Sequence, residues 1–405
     1  MPKRPARRPS FTPRQLPNVC YLGLTPKHLG LTSKHEAMKT IAVFNNKGGV
    51  GKSTLTFHLG HALAEMGSKV LMIDLDPQCN LTIFGIETEE LHDIWKAEDD
   101  CIEDFELGLS KSRLLLCHPR SIHFLLKSTE DGVSDEPNLP PPVKLKSNLH
   151  LIPGRLSIHR YENKLSERWS GAYQSDNLSL RTIARIRELC NLYGKEGGYD
   201  YILIDTSPSL GVLNKTIIST VDGFFIPAQP DMFSLYGVRN IGSALKLWKR
   251  EFETIFSLIS ENKRKEFPAK LVQFLGFTIY NAKKYTGGAP NNPFNLAEAH
   301  NNYVAKIPKV IKDFISVENR ESLTDGEIST PIGGISVIHT HNTFPSVAQQ
   351  LNCPMWEVPA RSSDQAYREK RGMQPVNQGS FGKYHDTKKK YETFACDLLN
   401  RVNSI

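Results

Sequence analysis

"FNNKGGVGKSTLTF", residues 44–57, holds two lysines where a phosphate-binding loop ordinarily needs one. Lys52 stands in the Gly-Lys-Ser ending of such a loop, and Lys47 comes five residues earlier. Asn46 sits where the common G-x-x-x-x-G-K-[ST] pattern begins with glycine. An apolar run precedes the loop, Thr40 to Phe44, and reads as a strand. After it, Leu55, Leu59, Leu63 and Met66 recur at helical spacing, so the sequence predicts a helix from Ser53 to Met66 stopped by Gly67. Strand, glycine loop and helix in that order aim backbone N–H groups at phosphate oxygens from the positive end of the helix. Gly48, Gly49 and Gly51, with Val50 among them, let the backbone close without Cβ obstruction. Lys52 then neutralises the β/γ oxygens and the Ser53 hydroxyl ligates Mg²⁺. An ordinary tight turn is the alternative, and the segments further along the chain weigh against it.

"KVLMIDLD" (Lys69 to Asp76) reads as a second strand, apolar on both faces in its first half, as in a parallel sheet covered by helices. With the loop helix it makes a βαβ unit. Residues 87–146 interrupt the regularity with an acidic run and a proline-rich turn, and are expected to form an inserted, partly mobile excursion. "NLHLIPG" (Asn148 to Gly154) returns to the sheet. A helix is expected from Leu178 to Tyr193, capped by Ser175-Asp176-Asn177 and closed by Gly194. "YDYILIDTSPSLG" (Tyr199 to Gly211) and "GFFIPAQP" (Gly223 to Pro230) supply two more strands. A long amphipathic helix follows through Val238, Ile241, Leu245, Trp248, Phe252 and Ile255. "LVQFLGFTIYN" (Leu271 to Asn281) and "GISVIHT" (Gly334 to Thr340) read as strands. The sum is an α/β fold with a doubly wound, mostly parallel sheet flanked by helices. It is expected as one domain over 38–405 behind a disordered basic tail, residues 1–37. Met38 before the first strand is a candidate start, and a tail that touches nucleic acid is the rival reading.

Asp74, Asp76 and Asp205 fall at the C-terminal ends of the expected strands, the edge where open α/β sheets bind ligands. Helix capping is the plain alternative for three such carboxylates. Beside a phosphate loop, a metal or water-activating role for at least two of them is the stronger reading.

"KGGVGKST", "VLMIDLDPQCNLT" and "YDYILIDTSPSLGVLNKTIISTVDGFFIPAQPDMFSLYG" together resemble the ParA/MinD family of deviant Walker ATPases, most closely its ParA partition branch. The likeness runs from Met38 to Asn240 and continues more loosely through "FPSVAQQLNCPMWEV" (Phe344 to Val358). It implies an ATP-sandwiched homodimer in which Lys47 reaches the partner's phosphates. Lys52, Ser53 and Thr54 take the phosphate and magnesium roles, Asp76 is the water-activating carboxylate, Asp74 supports the metal and Asp205 is the Walker B residue. "DPQCN" and "DTSPSLG" become the segments that sense the γ-phosphate. The implied cofactors are ATP and Mg²⁺, and the implied partners are non-specific DNA and a ParB-like activator. Cys79 stands where relatives usually carry a small residue, and is read as packed rather than nucleophilic. The excursion at 87–146 is longer and more acidic than the family pattern, and "HTHNTFPSVAQQ" replaces a proline-arginine segment. Asn281, after its strand, is a candidate for reading adenine.

The net charge of +7 is unevenly placed: residues 1–37 carry +6, the stretch to Gly242 carries −5, and the remainder carries +6. The candidate DNA contacts are Lys246, Lys249 and Arg250, then Lys263, Arg264 and Lys265, and Lys283 with Lys284. Arg368, Lys370, Arg371 and Lys388 to Lys390 are further basic clusters, and a solubilising surface is the alternative for each. Seven scattered cysteines without C-x-x-C argue against a disulfide framework or zinc site and fit a cytoplasmic, nucleoid-associated location. Thirty-seven residues are too few for a helix-turn-helix domain, so sequence-specific autorepression is not expected. Two other classes remain open. A MinD-like membrane switch would use the stripe Tyr391, Phe394, Leu398 and Val402, which reads more readily as a closing helix. An iron-protein relative would need paired cluster cysteines, and Cys101 and Cys117 lack suitable surroundings.

Overall fold

In the computed structural model, strand β1 (Lys39–Val43) divides two apolar layers. Successive side chains of a strand point to opposite faces. Ile41 and Val43 enter one layer, Ala42 and the following Phe44 the other, and all four are fully buried. Six more strands join it: β2 (Val70–Asp74), β3 (Val143–Lys146), β4 (Leu149–Ile152), β5 (Tyr201–Asp205), β6 (Gly223–Ala228) and β7 (Gln273–Ile279). Their spatial order is β3-β4-β2-β5-β1-β6-β7, parallel throughout except for β3 against β4. The doubly wound, mostly parallel sheet read from the sequence is the sheet observed. The structure describes residues 38–405 apart from 112, 137, 266, 269, 286–291, 340 and 342. The expected tail, residues 1–37, lies outside the described residues.

Helices cover both faces. They are α1 (Lys52–Glu65), α2 (Asn80–Gly85), α3 (Thr88–Glu103), α4 (Phe105–Lys111), α5 (Ile122–Asp131), α6 (His159–Ala172), α7 (Asn177–Gly197), α8 (Val212–Thr220) and α9 (Met232–Leu258), followed by shorter pieces and a C-terminal helix, Phe381–Val402. In α1, Leu55, Leu59 and Leu63 are buried as the spacing requires, while Met66 lies beyond the helix and is 39% exposed. Asp176 caps α7, its carboxylate accepting from the Ser179 N–H at 2.8 Å, and the helix runs past Tyr193 to Gly197. The stripe Tyr391, Phe394, Leu398 and Val402 is fully buried against α1 and the sheet. It is a packing face, not a lipid-facing one.

The described residues of 87–146 are built into the fold: α3, α4 and α5 pack into the core, and β3 adds the antiparallel edge strand. In α5 every residue from Ile122 to Glu130 is buried. One expectation is corrected: residues 334–339 do not form the strand expected over Gly334 to Thr340. Gly333 and Gly334 take left-handed backbone conformations (φ +69° and +60°) that a strand cannot sustain. Only an isolated bridge, His339 to Ala282, is present there among the described residues, and Thr340 lies outside them. No described helix is long and apolar enough to cross a membrane.

Candidate nucleotide-binding site

The loop leaves β1 at the C-terminal edge of the sheet and turns into α1 at Gly51. Gly51 has φ +83°, and a Cβ there would meet the Tyr280 ring at 2.2 Å. Glycine is therefore required on two independent grounds, backbone conformation and close approach. A cavity of about 500 Å³ opens above the loop. Gly48, Gly49, Gly51, Lys52, Ser53 and Thr54 line it, with Asp76, Tyr280 and Asn281 across from them. Val50 is fully buried behind the loop. Asn281, exposed and at φ +60°, follows β7 at the rim.

The charges converge because their strands are neighbours. Asp205 ends β5, directly opposite Asp74 on β2 and Val43 on β1. Asp205 is fully buried, and among the described residues neither carboxylate oxygen makes a well-formed hydrogen bond, although the Ser53 hydroxyl is close enough to favour its ionised form. Burial first, and then the Asp74 charge, push its pKa far above the carboxylate range, opposed by the nearby Ser53 hydroxyl and Lys52. An unpartnered buried carboxylate calls for a cation. Ser53 and Asp205 accordingly fit a magnesium ion, which takes few protein ligands and keeps waters and substrate phosphates for the rest. Among the described residues no three His, Cys, Asp or Glu side chains form an all-protein metal cage.

Lys52 is 6% exposed, its Nζ 3.5 Å from the Lys47 carbonyl. Burial lowers its pKa, while Asp205 and Asp76 oppose that shift. Asp76 faces the cavity with Oδ1 accepting from the Gln78 N–H at 3.0 Å. Burial raises its pKa, against the Gln78 backbone and Lys52. Both carboxylate oxygens of Asp74 already have partners. Its Oδ2 accepts from the Thr82 N–H and hydroxyl at 2.8 and 2.7 Å, and its Oδ1 from the Asp76 N–H at 3.1 Å. Both oxygens are thus used to hold the loop that follows, and burial raises this carboxyl to about 7. Cys79 is buried in a left-handed conformation (φ 54°), and burial drives its thiol pKa upward, the opposite of a nucleophile's shift.

Lys47 does not line the cavity. Its Nζ is held by Gln229 Oε1 at 2.8 Å and by the Asp231 carboxylate. Asp231 also caps α9, accepting from the Ser234 N–H at 2.9 Å, and Gln229 Nε2 donates to the Gly49 carbonyl at 3.0 Å. Beside this lysine Met232, Phe233 and Tyr236 are exposed. Gln229, Asp231, Thr82 and Tyr280 were missed at the sequence level. "AQPD" at the end of β6 carried a signal, since polar residues at a parallel strand's C-terminal end fall on the ligand edge.

The basic candidates do not form one surface. Lys283 and Lys284 follow β7 on the edge of the phosphate loop, whereas Lys263, Arg264 and Lys265 follow α9, which returns to the opposite edge. Lys246, Arg250, Arg264, Lys283 and Lys284 are exposed with no ion pair among the described residues. Lys249 is paired with Glu318 and, at 3.6 Å, Glu253. Lys263 is held by Asn177, and Lys265 by Asn262 at 3.2 Å. Lys370 and Arg371 pair with Glu87, and Lys388 with Glu65.

A family model described as "AAA domain" matches residues 38–258, more than half of the chain. An uncharacterised protein of Methanocaldococcus jannaschii is 32% identical over 202 residues, 50% of this chain and 63% of its own length. The sporulation initiation inhibitor protein Soj of Bacillus subtilis is 28% identical over 218 residues, covering 53% of this chain and 68% of Soj. The matches thus span about two thirds of the length of these two curated relatives. A solved structure of pNOB8 ParA bound to non-specific DNA superposes with a TM-score of 0.50 at 19% identity, over 91% of this chain and 99% of that one, a likeness of fold. With the deviant loop, the paired strand-end aspartates and the family match in agreement, the chain belongs to the ParA family of P-loop ATPases.

Proposed function

We propose that this protein is an Mg²⁺-dependent ATPase that dimerises around ATP, holds DNA without sequence preference and lets go when a ParB-like partner stimulates hydrolysis. Such a cycle distributes a replicon or another cargo along nucleoid DNA. The observation that carries the reading is the cavity where the loop backbone, Lys52 and Asp76 converge above the unpartnered Asp205 carboxylate.

The loop N–H groups and Lys52 bind and orient the phosphates, and the helix N-terminus favours their charge. Ser53 and Asp205 would hold a magnesium ion, which would supply neutralisation of the phosphate charge. Asp76, kept basic by its burial, orients the attacking water and takes its proton. Asn281 contacts the base at the rim. Lys47 leaves Asp231 and Gln229 for the γ-phosphate bound in the second subunit, which makes dimerisation conditional on ATP. The exposed lysines and arginines then meet DNA phosphates.

A DNA-binding titration with ATP, ADP or no nucleotide tests this. Wild type should retain a random-sequence duplex only with ATP–Mg²⁺, with affinity falling steeply as salt rises. Asp76→Ala should retain it for longer, because it binds ATP without turnover. Equal DNA affinity in all three nucleotide conditions would sink the proposal.

A further inference from the structure

A chain of polar contacts leaves the site on the side away from the cavity. The Thr82 hydroxyl that donates to Asp74 accepts from the Gly154 N–H at 2.7 Å. The Gly154 carbonyl accepts from the Trp95 indole N–H of α3 at 3.0 Å. Arg155 Nη1 donates to the Trp95 carbonyl at 2.7 Å and to Glu98 at 3.2 Å. Glu98 accepts from both the backbone N–H and, at 2.6 Å, the hydroxyl of Ser121, the residue that caps α5. Asp74, Thr82, Glu98 and Ser121 have no exposed surface.

Packing makes the same connection independently. A Cβ on Gly154 would lie 3.1 Å from both the Asp74 carboxyl carbon and the Cys79 sulfur. The backbone at 154 therefore rests directly on the segment from Asp74 to Asn80. Apolar contacts through Leu91 and Ile94 would suffice merely to seat α3. Burying Glu98 and threading an indole N–H to a loop carbonyl costs desolvation, and a fully satisfied polar chain of this kind fixes one geometry.

Resting on the ATPase reading above, we propose that Trp95 and Arg155 are positioning residues for the Asp74–Asn80 segment, so that the seating of α3 sets the turnover rate without touching nucleotide. A displacement of α3 is passed through Gly154 and Thr82 to Asp74, and from the Asp74 carboxylate to the backbone of Asp76. The outer face of α3 is exposed at Asp93, Asp99 and Glu103, of which Asp99 is itself held by Arg155 at 2.5 Å and Glu103 by Arg160 at 3.2 Å, so an input there reaches the same arginine.

Amide hydrogen exchange and steady-state ATP hydrolysis on the full chain test this, with Trp95→Phe, which keeps an aromatic ring of smaller size but loses the donor, and Arg155→Lys. Without nucleotide, both variants should speed exchange in residues 74–85 and leave residues 212–220 unchanged. With ATP–Mg²⁺, kcat should fall about tenfold while KM stays within about twofold, the signature of mispositioning rather than lost binding. Wild-type exchange in 74–85 and wild-type kcat in both variants would overturn the proposal. If ATP–Mg²⁺ protects nothing in residues 44–57 of the wild type, the ATPase reading fails. The nucleotide-free exchange then decides the coupling by itself.

Discussion

Gly51 shows how narrowly a single position in the loop is determined. Its left-handed backbone, and a Tyr280 ring only 2.2 Å from where a Cβ would stand, exclude any side chain. Gly51→Ala should lower ATP affinity at least about tenfold and destabilise the protein by about 1–3 kcal/mol, the usual cost of such strain. Nucleotide titration and thermal melting check this, and wild-type values in both would remove the steric argument. The need for glycine was legible from the loop pattern, but its partner Tyr280, more than two hundred residues away, was not. The same division holds for the acidic residues. Strand-end position marked Asp74, Asp76 and Asp205 together, and only the structure separates them. Asp205 is unpartnered, Asp76 faces the cavity, and Asp74 is occupied by Thr82.

At the scale of elements, α1 is locked to the C-terminal region through His58. Its Nδ1–H donates to the Thr54 carbonyl at 2.7 Å, its Nε2 accepts from the Met355 N–H at 3.1 Å, and its ring stacks on Tyr391. Burial lowers its pKa to about 4, only partly opposed by the Thr54 carbonyl. The unfolded chain protonates this histidine near pH 6.5, and the native protein resists until about pH 4. The stability is therefore complete above pH 6.5 and is lost as pH falls toward 4, by about 3 kcal/mol for this group alone. Melting temperatures between about pH 7 and pH 4.5 should fall, and fall less steeply in His58→Phe; equal slopes would contradict the assignment. Helices with clean apolar stripes, α1 and α9, were legible in sequence. The stretch 87–146 was not, because composition counts charges as solvated. Here Lys127 meets Glu130 at 2.8 Å and Asp131 at 2.6 Å inside the fold, and Glu98 is buried against Ser121.

Over the whole molecule, the sheet's C-terminal edge gathers the phosphate loop, the aspartates, Asn281 and Lys283–Lys284, while other basic residues lie elsewhere. Parallel order and strand ends can be read from a sequence, but the pairing of surface charges depends on contacts between distant segments. That is why Lys249, Lys370, Arg371 and Lys388 looked like free cations and are engaged by carboxylates. Lys47 is the position on which the quaternary account turns. Gln229 and Asp231 hold it outside its own cavity, beside exposed Met232, Phe233 and Tyr236. That placement suits a lysine stored for a second subunit's nucleotide. The decisive measurement is solution mass by light scattering with ATP–Mg²⁺, for wild type and Lys47→Ala. Wild type should double its mass with ATP and not with ADP, while Lys47→Ala should bind ATP and stay at the mass of one chain. A Lys47→Ala protein that dimerises and hydrolyses ATP as wild type does would contradict it.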